Sequence, residues 1–232
     1  MLNSIVERHR RIVPLSDSEK KIIRSATRLF LLNGFSNTTV RMIGEDCGMR
    51  IGTVAYHFHT KEDMLYLLIQ ELMDFHSEVI EEIHGHAEDV VLSYCMEVAV
   101  QIALCETDEK ARDLYYSAYA HPGTLELIKS WSAKKNARLL KSYLPDWTKD
   151  DFQRVEHVAS MIEFSAFTSP CDEDFTLEDK TALILESLMK LYCIPEEERL
   201  AAIETVRSTD CRKYAAELFK KFVDRLDNSS TA

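Results

Sequence analysis

Residues 38–57 have the sequence TTVRMIGEDCGMRIGTVAYH, and this stretch decides the fold of the N-terminal region. A threonine at 38 or 39 can cap a short helix, because its hydroxyl accepts a bond from an unpaired amide of the first turn. Gly48 then allows a tight turn, and a second short helix follows over about 51–57. Two short helices joined by a glycine-containing turn are the signature of a helix-turn-helix.

The residues before this stretch predict a longer helix with clear ends. Ser16-Asp17-Ser18-Glu19 fits a capping box, in which the Ser and Glu side chains bond to each other's backbone amides. Asn33-Gly34 ends the helix, with Gly34 in the left-handed conformation. The apolar residues between these signals recur at helical spacing and form one face: Ile22, Ile23, Ala26, Leu29 and Phe30.

The rest of the chain carries helical rather than alternating periodicity, and it contains no persuasive strand and no internal repeat. Pro122, Pro145, Pro170 and Pro195 fall between the apolar-periodic segments, where they predict turns. The sequence therefore predicts an all-α fold. The predicted helices after the helix-turn-helix cover 61–84, 88–106, 109–120, 123–143, 148–168, 176–193, 196–208 and 210–226.

Charge is divided unevenly along the chain. The 232 residues hold 28 Lys+Arg and 39 Asp+Glu, and a net charge of -11 by itself argues against binding to phosphate. Residues 1–61, however, hold 10 Lys or Arg and 5 Asp or Glu, so they carry +5 and the remainder carries -16. This split predicts a basic N-terminal region with a role different from that of the acidic body. The run Arg8-His9-Arg10-Arg11 fits either an arm for the minor groove or a disordered terminus that adds nonspecific attraction.

Composition and motifs exclude several classes of protein. No apolar run approaches the roughly 18–20 residues of a membrane span, and the N-terminus lacks the apolar region of a secretory signal. The 6 cysteines form no CxxC pair, which favours a reduced, cytoplasmic compartment. The motifs for dinucleotide, phosphate, acyl-transfer and zinc chemistry are absent, and His84 and His86 only flank a helix-ending glycine. The sequence therefore predicts no enzyme, no cofactor, no metal site and no membrane partner.

A family resemblance rests on Ala26, Leu29, Phe30, Gly34, Phe35, Thr38, Thr39, Val40, Arg41, Met42, Ile43, Cys47, Gly48, Met49, Gly52, Thr53, Val54, Ala55, Tyr56, His57, Phe58, Lys61 and Glu62. In this pattern residues 18–65 resemble the N-terminal domain of TetR-family transcriptional regulators. The resemblance implies a three-helix helix-turn-helix DNA-binding domain over 1–62, with a basic N-terminal arm over 1–15. It also implies a helical effector-binding and dimerisation domain over 63–232. The sequence departs from the family at Ala55, where members usually carry an aromatic residue.

The helix over 51–57 is the predicted recognition helix, because Gly52 and Ala55 keep it thin enough for the major groove. Arg50 at its start can bind O6 and N7 of guanine, or it can contact phosphate or solvent instead. Tyr56 can contact phosphate or pack against the first helix. The predicted DNA-binding residues are Thr39, Arg41, Arg50, Ile51, Thr53, Tyr56, His57 and Lys61.

The segments 152–168 and 182–192 are the predicted dimer helices. The second is apolar around much of its circumference, so one face can pack on its own bundle and the other on a second copy of the chain. The alternative is that these are ordinary central core helices. The predicted interface residues are Phe152, Val155, Ala159, Ile162, Leu185, Leu188, Met189 and Tyr192.

An aromatic- and thiol-rich run over 94–121 indicates an effector pocket, since pockets are mostly apolar with a few convergent polar groups. Glu163 is the only charge in a run of ten residues, and a buried carboxylate there needs a partner. That partner can be a cationic effector, a Lys or Arg of the fold, or solvent. The predicted pocket residues are Met96, Cys105, Tyr115, Tyr119, His121, Trp131, Glu163 and Phe167.

These patterns together predict a homodimeric, sequence-specific DNA-binding transcriptional regulator. Its expected partners are double-stranded DNA with a palindromic operator, a second copy of the chain and an unidentified small-molecule effector that releases it as a repressor. The alternative function is a ligand-independent regulator or activator, whose bundle serves only dimerisation or protein docking.

Overall fold

Eleven α-helices and no strand make up the part of the chain that the computed structural model describes, which is residues 15–84 and 89–228. Side chains are not described at 76, 77, 79–84 and 226–228. The helices are α1 (Asp17–Asn33), α2 (Val40–Asp46), α3 (Ile51–His57), α4 (Lys61–His84), α5 (Val90–Thr107), α6 (Glu109–Ala120), α7 (Pro122–Leu139), α8 (Lys149–Thr168), α9 (Leu177–Leu191), α10 (Glu196–Arg207) and α11 (Cys211–Asn228). The prediction of an all-α fold is confirmed, whereas the arm predicted over 1–15 lies almost entirely outside the described residues.

The ends of α1 follow the sequence signals closely. Ser16 and Glu19 form the capping box: the Ser16 amide donates to the Glu19 carboxylate at 2.8 Å, and the Glu19 amide donates to the Ser16 hydroxyl at 3.3 Å. Gly34 ends the helix with a φ of 86°, which an L side chain rarely adopts. Phe30 is fully buried between these ends and packs against Phe35, with ring centroids 5.0 Å apart.

Helix α5 lies at the centre of the body and packs against α4, α6, α8, α9, α10 and α11. It is long and apolar enough to cross a membrane by length and composition, although the sequence analysis found no such run. Most of its apolar residues are buried inside the protein, as in the core helix of a folded domain. The run therefore serves packing, and Glu97 is one of its few polar members.

The largest difference from the predicted helices is at the end of α7, which was expected to continue to 143. The helix ends at Leu139, and the Tyr143 amide then donates to the Leu140 carbonyl at 3.1 Å in a tighter turn. Leu140 and Leu144 are both buried, so their spacing continued the helical pattern although the backbone had already turned. The spacing of apolar residues shows which residues are buried, and the residues of a buried turn can have the same spacing as those of a helix.

A polar junction joins the N-terminal helices to the body. The Ser36 amide donates to the Asp113 carboxylate at 2.8 Å, and the Ser36 hydroxyl donates to its other oxygen. A Cβ on Gly34 would lie only 2.8 Å from the same carboxylate, so glycine is required for this approach. The Lys61 ammonium donates to the carbonyls of Phe35 at 2.6 Å and Thr38 at 2.9 Å. The loop after α1 is therefore held by α4 and α6 together.

Candidate DNA-binding surface and ligand cavity

The turn between α2 and α3 positions the second helix of the motif. Gly48 has a φ of 67°, and the Met49 amide donates back to the Gly44 carbonyl at 2.8 Å, which closes the end of α2. A Cβ on Gly44 would lie 3.0 Å from the Met49 carbonyl oxygen, so glycine permits the close approach of the turn to α2. Val54 is fully buried, and it anchors the inner side of α3 in the core.

The outer side of α3 is exposed along its whole length. Ile51 is 57% exposed and Tyr56 is 80% exposed, which is unusual for large apolar side chains. Arg50, Thr53 and the small residues at 52 and 55 are exposed as well. Tyr56 contacts the neighbouring His57 ring rather than the core, so the structure favours contact over its packing alternative. The helix thus presents a narrow, solvent-facing edge with an arginine at its N-terminal end.

Four of the predicted DNA contacts already have partners within the chain. The Thr39 hydroxyl accepts the Met42 amide at 3.2 Å as the cap of α2, and the Arg41 guanidinium pairs with Glu45 at 2.8 Å. His57 Nδ1 lies 3.7 Å from a Glu19 carboxylate oxygen. The Lys61 ammonium lies 4.0 Å above the Phe35 ring, and burial lowers its pKa. Lys61 therefore holds the loop after α1, and a phosphate contact by it remains a prediction.

Residues 22–66 match the family model for bacterial regulatory proteins of the tetR family. This match covers α1 from residue 22, α2, α3 and the start of α4, so it includes the exposed edge of α3. The N-terminal helices are therefore similar to those of tetR-family regulatory proteins.

The curated relatives that this chain matches are transcriptional regulators. It is 26% identical over 140 residues to the HTH-type transcriptional regulator HbdR of Aromatoleum sp. (strain CIB), which is 55% of this chain and 57% of HbdR. It is 35% identical over 51 residues to the uncharacterized HTH-type transcriptional regulator YerO of Bacillus subtilis (strain 168), which is 22% of this chain and 18% of YerO. The chain thus spans about half of HbdR and less than a fifth of YerO. These relatives agree with the prediction that the chain is not an enzyme.

A solved structure with the same fold is that of the multidrug binding protein EbrR complexed with imidazole. The two structures superpose with a TM-score of 0.50 at 16% identity, over 78% of this chain and 98% of EbrR. The similarity extends well beyond residues 22–66, so the helical body shares the fold of EbrR.

The helical body of the chain contains a cavity of about 60 Å³ between α4, α5, α6, α7 and α8. Four predicted pocket residues line it: Tyr115, Tyr119, Trp131 and Glu163. The other lining residues are Ile69, Leu72, Met73, Tyr94, Glu97, Val98, Gln101, Ala118, Ile128, Ser132, Lys135 and Asn136.

Four other predicted pocket residues do not line this cavity, and their place in an effector site remains a prediction. Met96 and Cys105 are buried in the core on other sides of α5, because that helix is enclosed all round. His121 lies in the junction between α6 and α7. Phe167 packs behind the cavity wall, with its ring centroid 5.0 Å from Tyr115 and 5.7 Å from Tyr119.

Glu163 is the most perturbed carboxyl group of the cavity. The Tyr119 hydroxyl donates to Glu163 Oε2 at 2.9 Å. Burial, with a further contribution from Glu156, raises the pKa of Glu163 to about 8, although the bond from Tyr119 acts in the opposite direction. Glu163 is therefore largely protonated at neutral pH, and an ionised form needs an additional partner.

Two further polar groups of the cavity wall are bound within the chain. The Lys135 ammonium pairs with Glu97 Oε2 at 2.5 Å and lies 5.0 Å above the Trp131 ring. The Asn136 amide nitrogen donates to Glu156 Oε1 at 2.8 Å and to the Tyr192 hydroxyl at 2.9 Å. The Asn136 carbonyl oxygen and the Tyr94 hydroxyl are buried without a partner.

Sequence reasoning did not include Glu97, Lys135 and Asn136 in the pocket. Glu97 is the only charge between Val90 and Cys105, which is the same signal that drew attention to Glu163. Lys135 lies in a polar segment of α7 that carries no comparable signal. Its role follows from the packing of α7 against α8, which brings it toward Glu97 and the cavity.

The predicted dimer residues divide between the core and the surface. The structure corrects the prediction for six of them, which are buried in their own protomer because they face inward across the bundle: Phe152, Ala159, Leu185, Leu188, Met189 and Tyr192. Val155 and Ile162 are only partly buried. The outward face of α8 and α9 instead exposes Val158, Met161 and Leu183. Among the described residues this face holds three of the nine exposed large hydrophobic side chains.

Proposed function

We propose that this chain is a homodimeric, sequence-specific DNA-binding repressor of the TetR family that a small-molecule effector releases from its operator. The exposed outer edge of α3 is the observation that carries the proposal, since Ile51 and Tyr56 are poorly suited to contact with water alone. A thin helix with Arg50 at its N-terminal end fits the major groove, where its first residues meet the base edges. The cytoplasm is the compartment in which such a protein meets its operator.

A second copy of the chain is required for this function. One helix-turn-helix presents few base contacts, and a palindromic site has two halves that each bind one DNA-binding domain. The apolar face formed by Val158, Met161 and Leu183, with Val155 and Ile162 at its margin, is the surface we assign to the dimer. Because Val155, Val158 and Ile162 follow one another at helical spacing, they form a continuous stripe along α8. Two such stripes related by a two-fold axis bury each other.

Helix α6 connects the cavity to the DNA-binding helices. Tyr115 and Tyr119 line the cavity, and Asp113 on the same helix binds the loop after α1 through Ser36. A ligand that displaces the two tyrosines therefore moves the Asp113 carboxylate, which binds the loop between α1 and α2. Helix α4 begins at Lys61 under the same loop and lines the cavity with Ile69 and Leu72. An effector that binds one conformation of the body more tightly thus favours one spacing of the two DNA-binding domains in the dimer over another.

The test is to select bound DNA from a random pool and to measure binding of the wild type and of Arg50→Ala to the selected operator. We expect Arg50→Ala to lose about 10- to 100-fold in operator affinity, the range of a bidentate contact to guanine, and to keep its affinity for unrelated duplex. Arg24→Ala, which removes an exposed arginine from α1, is the matched control and should change binding to both duplexes equally.

Two outcomes would contradict this proposal. A pool without an enriched sequence would exclude a sequence-specific function. Equal losses on both duplexes for Arg50→Ala would reduce Arg50 to a phosphate contact. Since coupling is reciprocal, an effector that weakens operator binding must itself bind less tightly to the operator complex.

A further inference from the structure

Two residues that line the cavity, Glu163 and Asn136, carry acceptor oxygens that can take a further hydrogen bond. Glu163 receives one bond, from Tyr119, and its carboxyl group has room for more. The Asn136 carbonyl oxygen is buried and unpartnered, and Asn136 itself is only 3% exposed. A buried acceptor without a donor destabilises the protein, so a ligand that supplies a donor removes that penalty.

The orientation of the Asn136 amide is fixed by its neighbours. Its nitrogen donates to Glu156 Oε1 at 2.8 Å, and a carboxylate oxygen can only accept. The Tyr192 hydroxyl also donates to Glu156 Oε1, which leaves its lone pairs for the Asn136 nitrogen. The carbonyl oxygen of Asn136 therefore points away from this cluster, on a residue that lines the cavity.

Lys135 is a cation near Glu163, and its charge opposes the rise in the pKa of Glu163. Lys135, on α7, is paired with Glu97 on α5. Glu156, about two turns before Glu163 on α8, and Glu97 on α5 add negative charge. The uncharged polar groups nearby are Gln101 on α5 and the hydroxyls of Tyr94, Tyr115, Tyr119 and Tyr192. The α4 wall is apolar, with Ile69, Leu72 and Met73. The cavity thus combines aromatic walls, an excess of carboxyl groups and unpartnered acceptors.

We propose that the effector site of this chain, whose role as an effector site rests on the proposed function, binds a small planar organic cation of the amidinium type. Its N–H groups donate to the Glu163 carboxylate and the Asn136 carbonyl oxygen, and its ring lies among Tyr94, Tyr115 and Trp131. A planar cation with several N–H donors matches a carboxylate bidentately, and aromatic faces attract its positive charge. The cavity of about 60 Å³ lies well below the roughly 300–1,000 Å³ of drug-sized sites, so the cation is small.

Binding of such a cation is coupled to release of a proton. Burial raises the pKa of Glu163 to about 8, so the free protein holds the carboxyl proton at neutral pH. When the cation enters, it takes the place of that proton, which passes to the solvent, and the carboxylate pairs with the ligand. The apparent affinity should therefore rise about fivefold between pH 7 and 8 and level off above pH 9, since only the ionised carboxylate binds the cation.

Benzamidinium, benzamide and benzoate test the proposal directly, because they share one size and shape and carry charges of +1, 0 and -1. Isothermal titration of the full chain should give at least tenfold tighter binding for benzamidinium than for benzamide, and weaker binding still for benzoate. Titrations in buffers of different ionisation enthalpy should report release of nearly one proton for each benzamidinium bound at pH 7.

Glu163→Gln keeps the shape of the protonated side chain and removes its charge. We expect this variant to lose the preference for benzamidinium over benzamide together with the proton release. Glu126→Gln, on the exposed side of α7 next to Lys129, is the matched control and should keep both. Thermal unfolding of both variants at pH 6 checks that each remains folded.

The outcomes separate this inference from the proposed function. Tighter binding of benzoate, equal binding of all three probes, or binding of none would overturn the cation site, whether or not the chain binds an operator. Benzamidinium binding that leaves operator affinity unchanged would keep the cation site and contradict its role in release.

Discussion

The N-terminal helices and the helical body place their functional residues in opposite ways. The exposed edge of α3 comes from one continuous stretch, Arg50–His57, and the turn before it is specified by two nearby glycines. The cavity instead draws its lining from five helices between Ile69 and Glu163. A surface built from consecutive residues can be recognised in a sequence, whereas a cavity exists only after distant helices have packed. The following four experiments test this contrast, from the largest expected effect to the smallest.

Phe30→Ala tests whether the N-terminal helices depend on their own small core. Phe30 is fully buried against Phe35, and truncation of such an aromatic side chain typically costs about 3–5 kcal/mol in the free energy of unfolding. Leu32→Ala on the same helix removes a side chain that is 54% exposed and should change stability by less than about 0.5 kcal/mol. Chemical denaturation followed by circular dichroism measures both, and equal losses would contradict the packing described for α1.

Glu163→Gln tests the electrostatics of the cavity through stability. Because folding raises the pKa of Glu163 to about 8, its protonated form stabilises the fold fully at low pH, and this contribution is lost as the pH rises toward and past 8. The wild type should therefore lose stability relative to the variant between pH 5 and 9, by an amount on the order of 3 kcal/mol. Parallel denaturation curves at pH 5, 7 and 9 give the difference, and a gap independent of pH would show that Glu163 is already ionised.

Leu183→Glu tests the assignment of the dimer face. A charge at the centre of an apolar interface should raise the dimer dissociation constant by tenfold or more, since it must be desolvated without a partner. Leu200→Glu is the matched control, because Leu200 on α10 is 57% exposed and Leu183 is 56% exposed. Sedimentation equilibrium distinguishes the two variants. A dimer that is equally weakened by both, or by neither, would place the interface elsewhere.

Glu45→Ala should have the smallest effect. Arg41 and Glu45 form an exposed pair one helical turn apart, and hydrogen bonding to Glu45 raises the pKa of Arg41. Removal of the carboxylate leaves Arg41 free to meet a phosphate and removes a repulsive charge, so operator affinity should increase about twofold to threefold. Fluorescence anisotropy with labelled operator measures the change, and an increase that persists unchanged at high salt would argue against a phosphate contact.

Sequence patterns predicted the N-terminal helices closely because each end has a local chemical signal. Ser16 and Glu19 form the expected capping box, Gly34 has the expected left-handed backbone, and α4 has the predicted bounds 61–84. Phe58, directly after α3, is 4% exposed and lies in the core. These features depend on residues within about four positions of each other, so tertiary packing does not override them.

The helical body was harder to predict. The spacing of apolar residues identifies the buried face of a helix, but it does not identify whether that face packs on the same chain or on a partner. On α9 the two apolar stripes were expected to divide between core and partner, and the inner stripe with Leu185, Leu188 and Met189 was chosen as the interface. Only packing distinguishes it from the outer position of Leu183. In the same way, Met96 and Cys105 differ from Tyr115 by the side of the bundle on which they lie, which no local pattern records.

The approach of Asp113 to the backbone at Gly34 has a consequence for protein engineering. A carboxylate on the body fits against the head only because residue 34 has no side chain, so the two surfaces form a matched pair. A chimera that joins these N-terminal helices to the body of another regulator should carry Asp113 and its surroundings on α6 along with them. Without that match, both halves of the chimera can fold and still lack the hydrogen bonds that join the loop after α1 to α6.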